Sequence, residues 1–520
     1  MPSKLRNLVN TQRPDIKIEF SSKKDTYTTL DRIEGVAIVT APVDTDFDTI
    51  EVEFIGTSRT YVERLTTAAA ASGRSEAFHQ FLKLCQPGLE QHYPHCQVLK
   101  AGIPYKFPFV FAVPQQLLPR ICQHAIRNDT VREYHYRLPP TFGDKDLAGR
   151  QKGLDDIAPD MASIRYGIFA RVTELKPKGD TIWRSIVASK ARRVRVIPAI
   201  EEEPPLDVHP EDGEYILRKE KVIKKGMLKS RLGTLIAESV QPRSLKLQSY
   251  CNPEGRSDSM ATVMLRFDPL DDESPPPKLG NLSSKLKVVT YFGSTARQTF
   301  PTKAASILDI SQGLHTEQLN LSSRCVTNVD WTKHDPSSPE TIQRRQSQAS
   351  ASSFGAGVVP EPSEGYKGGM YYTARVVVPI SLPAHKSFPP TFHSCLISRV
   401  YTLKLDLNVT TLSFGSSMEL KLPVQVSTEE LVGDELIRRG SVETINEVEI
   451  ESADVSNFFT NFFEPRTIRM PSQQFVGRSR IGSAPVAPPS TEDLSPGYSP
   501  AATANARRLS HNRAMSVPVY

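Results

Sequence analysis

The sequence is poor in the features from which chemistry is usually read. It has no G-x-S-x-G elbow, no P-loop and no G-x-G-x-x-G following a strand, so the commonest hydrolase, nucleotide and dinucleotide signatures are missing. Its six cysteines (Cys85, Cys96, Cys122, Cys251, Cys325 and Cys395) include no C-x-x-C pair. They read as free thiols of a reducing compartment, where the sequons at Asn281, Asn320 and Asn408 would stay unmodified. No apolar run approaches the roughly 20 residues that span a bilayer, and the start, MPSKLRNLVN, lacks the apolar core of a signal peptide. The expectation is a cytosolic protein. A net charge of +6 over 520 residues is too small to argue for nucleic acid. Two Trp against 41 Pro favour many short elements over a helix-rich enzyme core.

What is present is alternation. In Val98 to Pro119, VLKAGIPYKFPFVFAVPQQLLP, the positions Tyr105, Phe107, Phe109, Phe111 and Val113 are apolar on one parity, which predicts a strand with one buried face. Pro108 cannot donate to a ladder, so that strand belongs at a sheet edge or bulge. Earlier runs alternate too: Ile16/Ile18/Phe20, Leu30 to Val39, and Ile50/Val52/Phe54. Later come Val131 to Tyr136, Ile164 to Val172, and Val194/Val196. Between Thr60 and Gln86 the period changes: Phe78, Phe81, Leu82 and Cys85 fall on one helical face behind a Ser75 N-cap. A helical insertion over 61–86 is expected. Glu201-Glu202-Glu203-Pro204-Pro205 marks a domain boundary. A second series of alternating runs follows, at Leu245/Leu247, Ala261 to Phe267, Leu286 to Phe292, Tyr372 to Ile380, Tyr401 to Val409 and Leu420 to Val426.

Gly102, Tyr105, Phe107, Pro108, Phe109, Phe111, Pro114 and Pro119 resemble, in order, the G-x-x-Y-x-F-P-F-x-F…P…LP pattern of the arrestin superfamily. DIAPDM from Asp155, followed by IRYGIFARV, is similar to the turn and strand of arrestin-like N-domains. The run from Phe388 to Leu407, with Pro390, Phe392, Cys395 and Tyr401, resembles the C-domain signature of fungal arrestin-like proteins (alpha-arrestins). The resemblance implies an all-β fold of two immunoglobulin-like, arrestin-type β-sandwiches. They are expected at 14–200 and 206–427, with a disordered loop at 337–365 and a disordered, phosphorylatable tail at 428–520. It also implies a non-catalytic cytoplasmic adaptor, recruited peripherally to plasma membrane or endosomes, that links transporters or receptors to ubiquitination and endocytosis. The alternative is a retromer-like trafficking scaffold without a ligase. No cofactor or nucleic-acid partner is expected.

Four groups of residues invite chemistry. His92, His95 and Cys96, with Cys85, have metal-like density but nothing that fixes a fourth ligand, and a surface loop is the simpler reading. No metal site is assigned. His393 and Cys395 suggest a base and a nucleophile, yet they lie in a stretch that reads as buried structure. The segment Leu217 to Arg231 carries Arg218, Lys219, Lys221, Lys224, Lys225, Lys229 and Arg231 against one Glu. It is a candidate anion site for lipid headgroups or phosphorylated tails, or else a solvated strand-turn-strand that buries Val222, Ile223 and Leu228. Basophilic-kinase patterns end at Ser347, Ser441 and Ser510 (R-R-x-S) and surround Ser483 and Ser516 (R-x-x-S-x-P). Phosphates there would suit 14-3-3 proteins. The P-P-x-Y motif that draws HECT-type ubiquitin ligases is missing; Ser495-Pro496-Gly497-Tyr498 is its degenerate relative. Phe458, Phe459, Phe462 and Phe463 offer a docking helix or a cluster packing back on the fold.

Overall fold

The computed structural model describes residues 13–64, 73–144, 154–178, 181–209, 213–224, 231–247, 259–335, 359–410 and 415–428. Every described residue lies in one compact unit, within Met1–Thr467. In chain order the first half carries β1 (Asp15–Phe20), β2 (Arg32–Thr40), β3 (Thr45–Asp46), β4 (Thr49–Arg64), β5 (Gly73–Cys85), β6 (Val98–Leu99), β7 (Pro104–Ala112), helix α1 (Asp129–Tyr136), β8 (Ala162–Lys178) and β9 (Thr181–Val194). The second carries β10 (Arg218–Lys224), β11 (Arg231–Ser239), β12 (Leu245–Leu247), β13 (Ser259–Pro269), β14 (Lys278–Gly293), helix α2 (Lys303–Leu308), β15 (Gln312–Cys325), β16 (Thr332–His334), β17 (Tyr371–Ile380), β18 (Phe392–His393), β19 (Ile397–Thr410), β20 (Gly415–Val424) and β21 (Val426–Thr428).

The strands make two consecutive sandwiches. In the first, sheet β1-β2-β7 faces sheet β5-β4-β8-β9, and Ile33, Ala37, Val39 and the three phenylalanines of β7 meet Val52, Phe54, Ile164, Tyr166 and Ile168 in one core. Phe107, Phe109 and Phe111 are buried while Lys106, Pro108 and Val110 are exposed. β7 lies at the edge of its sheet, so Pro108 removes no ladder donor that a neighbour needs. In the second sandwich, sheet β10-β11-β13-β17-β16 packs on the sheet built from β15, β14, β19, β18 and β20. Strand β19 sits between β14 and β20 with Tyr401, Leu403, Leu405, Leu407 and Val409 buried. The protein is all-β, as the alternation requires.

Four local expectations are corrected. The expected helix over 61–86 is a hairpin of two long strands, β4 and β5, whose connecting residues 65–72 lie outside the described ones. The register shifts opposite Gly56/Thr57, so Phe81 and Leu82 both point inward. A bulge thereby imitates the i, i+3, i+4, i+7 pattern of a helix, while Phe78 and Cys85 are exposed. Conversely, Val131 to Tyr136 is helical: the Asn128 side chain accepts from Thr130 N at 2.8 Å, and Val131 and His135, four apart, bury one face. Val222 is exposed rather than buried, because the β10 alternation turns only Ile223 to the core. The disorder expected up to residue 365 ends sooner. Arg266 Nη1 donates to Pro360 O (3.1 Å), Arg218 Nη2 donates to Glu361 O (3.0 Å), and Ser363 N donates to Asp268 (2.8 Å). Residues 337–358 of that loop, and the tail beyond Thr428, lie outside the described residues.

Candidate functional site

The sandwiches meet along a seam that is both apolar and hydrogen-bonded. Phe292, Phe392, Leu396 and Ile397 of the second half belong to the first core, and Ile157 of the first half belongs to the second. Arg399, fully buried, reaches the D-I-A-P-D-M loop. Its Nη2 donates to Asp156 O at 2.7 Å, and its Nη1 donates to Ile157 O at 3.1 Å and to Thr290 Oγ1 at 2.5 Å. Ile157 holds φ +58°, a conformation that a β-branched residue adopts only under constraint. The guanidinium that binds both carbonyls supplies that constraint. Lys386 pairs with Asp155 at 2.8 Å, and Ser387 N donates to Asp155 O at 2.9 Å. The acidic linker is bound as well: Glu203 N donates to Gln425 Oε1 (2.9 Å), Gln425 Nε2 donates to Glu201 O (3.2 Å), and Arg137 pairs with Glu203.

Of the basic candidates, Arg218 is spent on Glu238 (2.9 Å) and Glu220 (2.7 Å) as well as on its carbonyls. Lys221 donates to Ser417 O at 2.7 Å, and Arg231 donates to Thr234 Oγ1 at 2.6 Å. Lys219 and Lys224 are exposed on edge strand β10. Lys225 and Lys229 lie outside the described residues, as do Ser347, Ser441, Ser483, Ser510, Ser516, Pro496 and Tyr498.

The other reactive groups are sorted differently from their order in the sequence. His92, His95 and Cys96 are exposed around short 3-10 turns, and Cys85 faces Glu53 at 3.5 Å on β5. His393 sits edge-on between Tyr134 and Phe300, its Nδ1 buried without a hydrogen bond. Burial lowers its pKa to about 3. Cys395 faces Cys122 instead, 3.6 Å away, and burial raises its pKa. An imidazole whose basicity burial has largely removed and a thiol held neutral do not make an activated nucleophilic pair. Beside Cys395 the structure gathers Cys122, His124 and His135, all four ligand-type atoms within 4.8 Å of one another. Sequence reasoning missed this group. Cys122 and His124 are two apart, but His135 comes from a helix and Cys395 from the other sandwich, so no spacing announces it.

Residues 16–125 match the family profile of the arrestin (or S-antigen) N-terminal domain. That stretch is arrestin-like. No curated protein matches the chain. The match takes in Gly102, Tyr105, Phe107, Pro108, Phe109, Phe111, Pro114 and Pro119. Of these, Gly102 holds φ +75° and its N–H donates to Ala41 O at 2.8 Å, closing the turn into β7. Pro119 opens a 3-10 turn at the far end. In the second sandwich Pro390, Phe392 and Cys395 are buried, and Tyr401 Oη donates to Pro389 O at 2.6 Å. Pro390 and Phe392 act here through packing.

Proposed function

We propose that this arrestin-like protein is a non-catalytic adaptor of membrane trafficking that joins transporter or receptor cargo to ubiquitination and endocytosis. The observation that carries the reading is the arrestin N-domain match, set in the first of two β-sandwiches joined by a buried seam. Such a frame offers extended sheet edges, which suits recognition of a partner. Lys219 and Lys224, exposed on the edge strand, supply charge suited to anionic headgroups or phosphorylated cargo tails. Peripheral recruitment from cytoplasm to plasma membrane or endosomes follows from this reading. Phosphorylation at Ser347, Ser441, Ser483, Ser510 or Ser516, read by 14-3-3 proteins, would regulate it.

The test is capture of the full-length protein on WW domains of HECT-type ligases, against a Tyr498→Ala variant and a form ending at residue 428. Binding lost in both altered forms supports the ligase adaptor. No binding by the intact chain removes ligase recruitment through the tail. It then favours the retromer-like scaffold, to which the missing first proline before Pro496 and Tyr498 already points.

A further inference from the structure

We propose that Cys122, His124, His135 and Cys395 form a structural zinc site that ties the two sandwiches together. The distances have the scale of a tetrahedral shell. Zn–S bonds of about 2.3 Å and Zn–N bonds of about 2.0 Å place neighbouring ligand atoms about 3.3–3.8 Å apart. Here Cys122 Sγ lies 3.0 Å from His124 Nε2, 3.6 Å from His135 Nδ1 and 3.6 Å from Cys395 Sγ. All four atoms fall within 4.8 Å of one another. Cys395 Sγ donates to Cys122 Sγ and both imidazoles reach the same sulfur, so the four groups converge on one point. A divalent ion can serve all four at once.

The surroundings fit a closed site. Cys122, His135 and Cys395 are buried and His124 is half-buried. The second nitrogen of His124, Nδ1, lies 3.1 Å from Ala125 O, the backbone partner that fixes a ligating imidazole with Nε2 free for metal. The Asn128 cap fixes the start of α1, and the buried Val131 and His135 seat the helix on that face. Two thiolates and two imidazoles neutralise a 2+ ion, and this soft, four-ligand set selects zinc over magnesium or calcium. A cleft of about 260 Å³, bordered by His79, Ile121, Gln123, His124 and Cys395, gives the ion a path in. Three ligands come from the segment after β7 and the fourth from the loop before β19, so the ion would cross-link residues 273 positions apart.

The test is elemental analysis of the full-length protein purified from zinc-supplemented cells, together with Co²⁺ substitution of the chelator-treated protein. About one zinc per chain is expected. Cobalt should give intense visible bands of a tetrahedral site with a thiolate charge-transfer band. Cys395→Ser should weaken that band and His135→Ala should lower the zinc content, while a His92→Ala/His95→Ala/Cys96→Ala protein keeps both signals. Wild-type protein without zinc and without the cobalt bands would overturn the site, as would zinc retained equally by both single variants. A Cys122–Cys395 disulfide in a non-reducing peptide map of freshly purified protein would also overturn it. The wild-type measurements decide the matter even if a variant does not fold.

Discussion

At the scale of single residues, this fold depends on two close fits. Arg399 is buried in the seam, where its guanidinium donates to Asp156 O, Ile157 O, Thr290 and Tyr401 and lies over the Phe142 ring. Arg399→Ala strands those carbonyls and frees the Ile157 turn. It should lower unfolding free energy by about 2–4 kcal/mol. Urea denaturation checks this, and a loss below about 0.5 kcal/mol would show that the loop holds itself. Gly56 is the second. A Cβ there would sit 2.6 Å from the Phe81 ring and 2.9 Å from Tyr166. Gly56→Ala should cost about 1–3 kcal/mol, and Phe81→Leu in the same chain should return part of it. Additive losses in the double variant would refute the clash. Neither fit could be seen in the sequence. Arg399 shares the inward parity of Ile397, Tyr401 and Leu403, but the carbonyls that receive it belong to a distant loop, and Gly56 is required only through a ring that arrives from another strand.

At the scale of elements, legibility followed packing. Strands with one wet face and one dry face, β7 and β19 above all, were readable residue by residue. Strand β5 was not, because its bulge gives two consecutive inward residues. Strand β15 gave no signal: it pairs only with β14 at the sheet edge, and most of its side chains are half-buried or exposed. The Cys/His group was unreadable for a further reason, since its fourth member, Cys395, joins the other three only when the two sandwiches dock. Edge strand β10 carries its own test. Lys219→Ser with Lys224→Ser should weaken binding to phosphatidylserine vesicles by about 2 kcal/mol, roughly thirtyfold, at about 1 kcal/mol per basic residue. Arg218→Ala should instead mainly reduce stability, because that side chain is already engaged. Vesicle co-sedimentation unchanged in the double variant would remove β10 from membrane contact.

At the scale of the whole molecule, the shared seam should make the two sandwiches melt together. Phe292, Phe392, Leu396 and Ile397 complete the first core, and Ile157 enters the second, so neither half keeps its interior if the other unfolds. One calorimetric transition is expected; two resolved peaks would contradict it. If zinc spans the seam, chelation should lower that Tm by roughly 3–5 °C, the shift for about 3 kcal/mol in a unit of this size. The last described strand, β21, runs parallel to β12, and Thr428 donates to Pro198 O (2.8 Å) while accepting from Ile200 N (2.7 Å). Thr428, where the described chain ends, is therefore held beside the linker between the halves, and a pull on it would strain that joint directly while exerting little torque on either half.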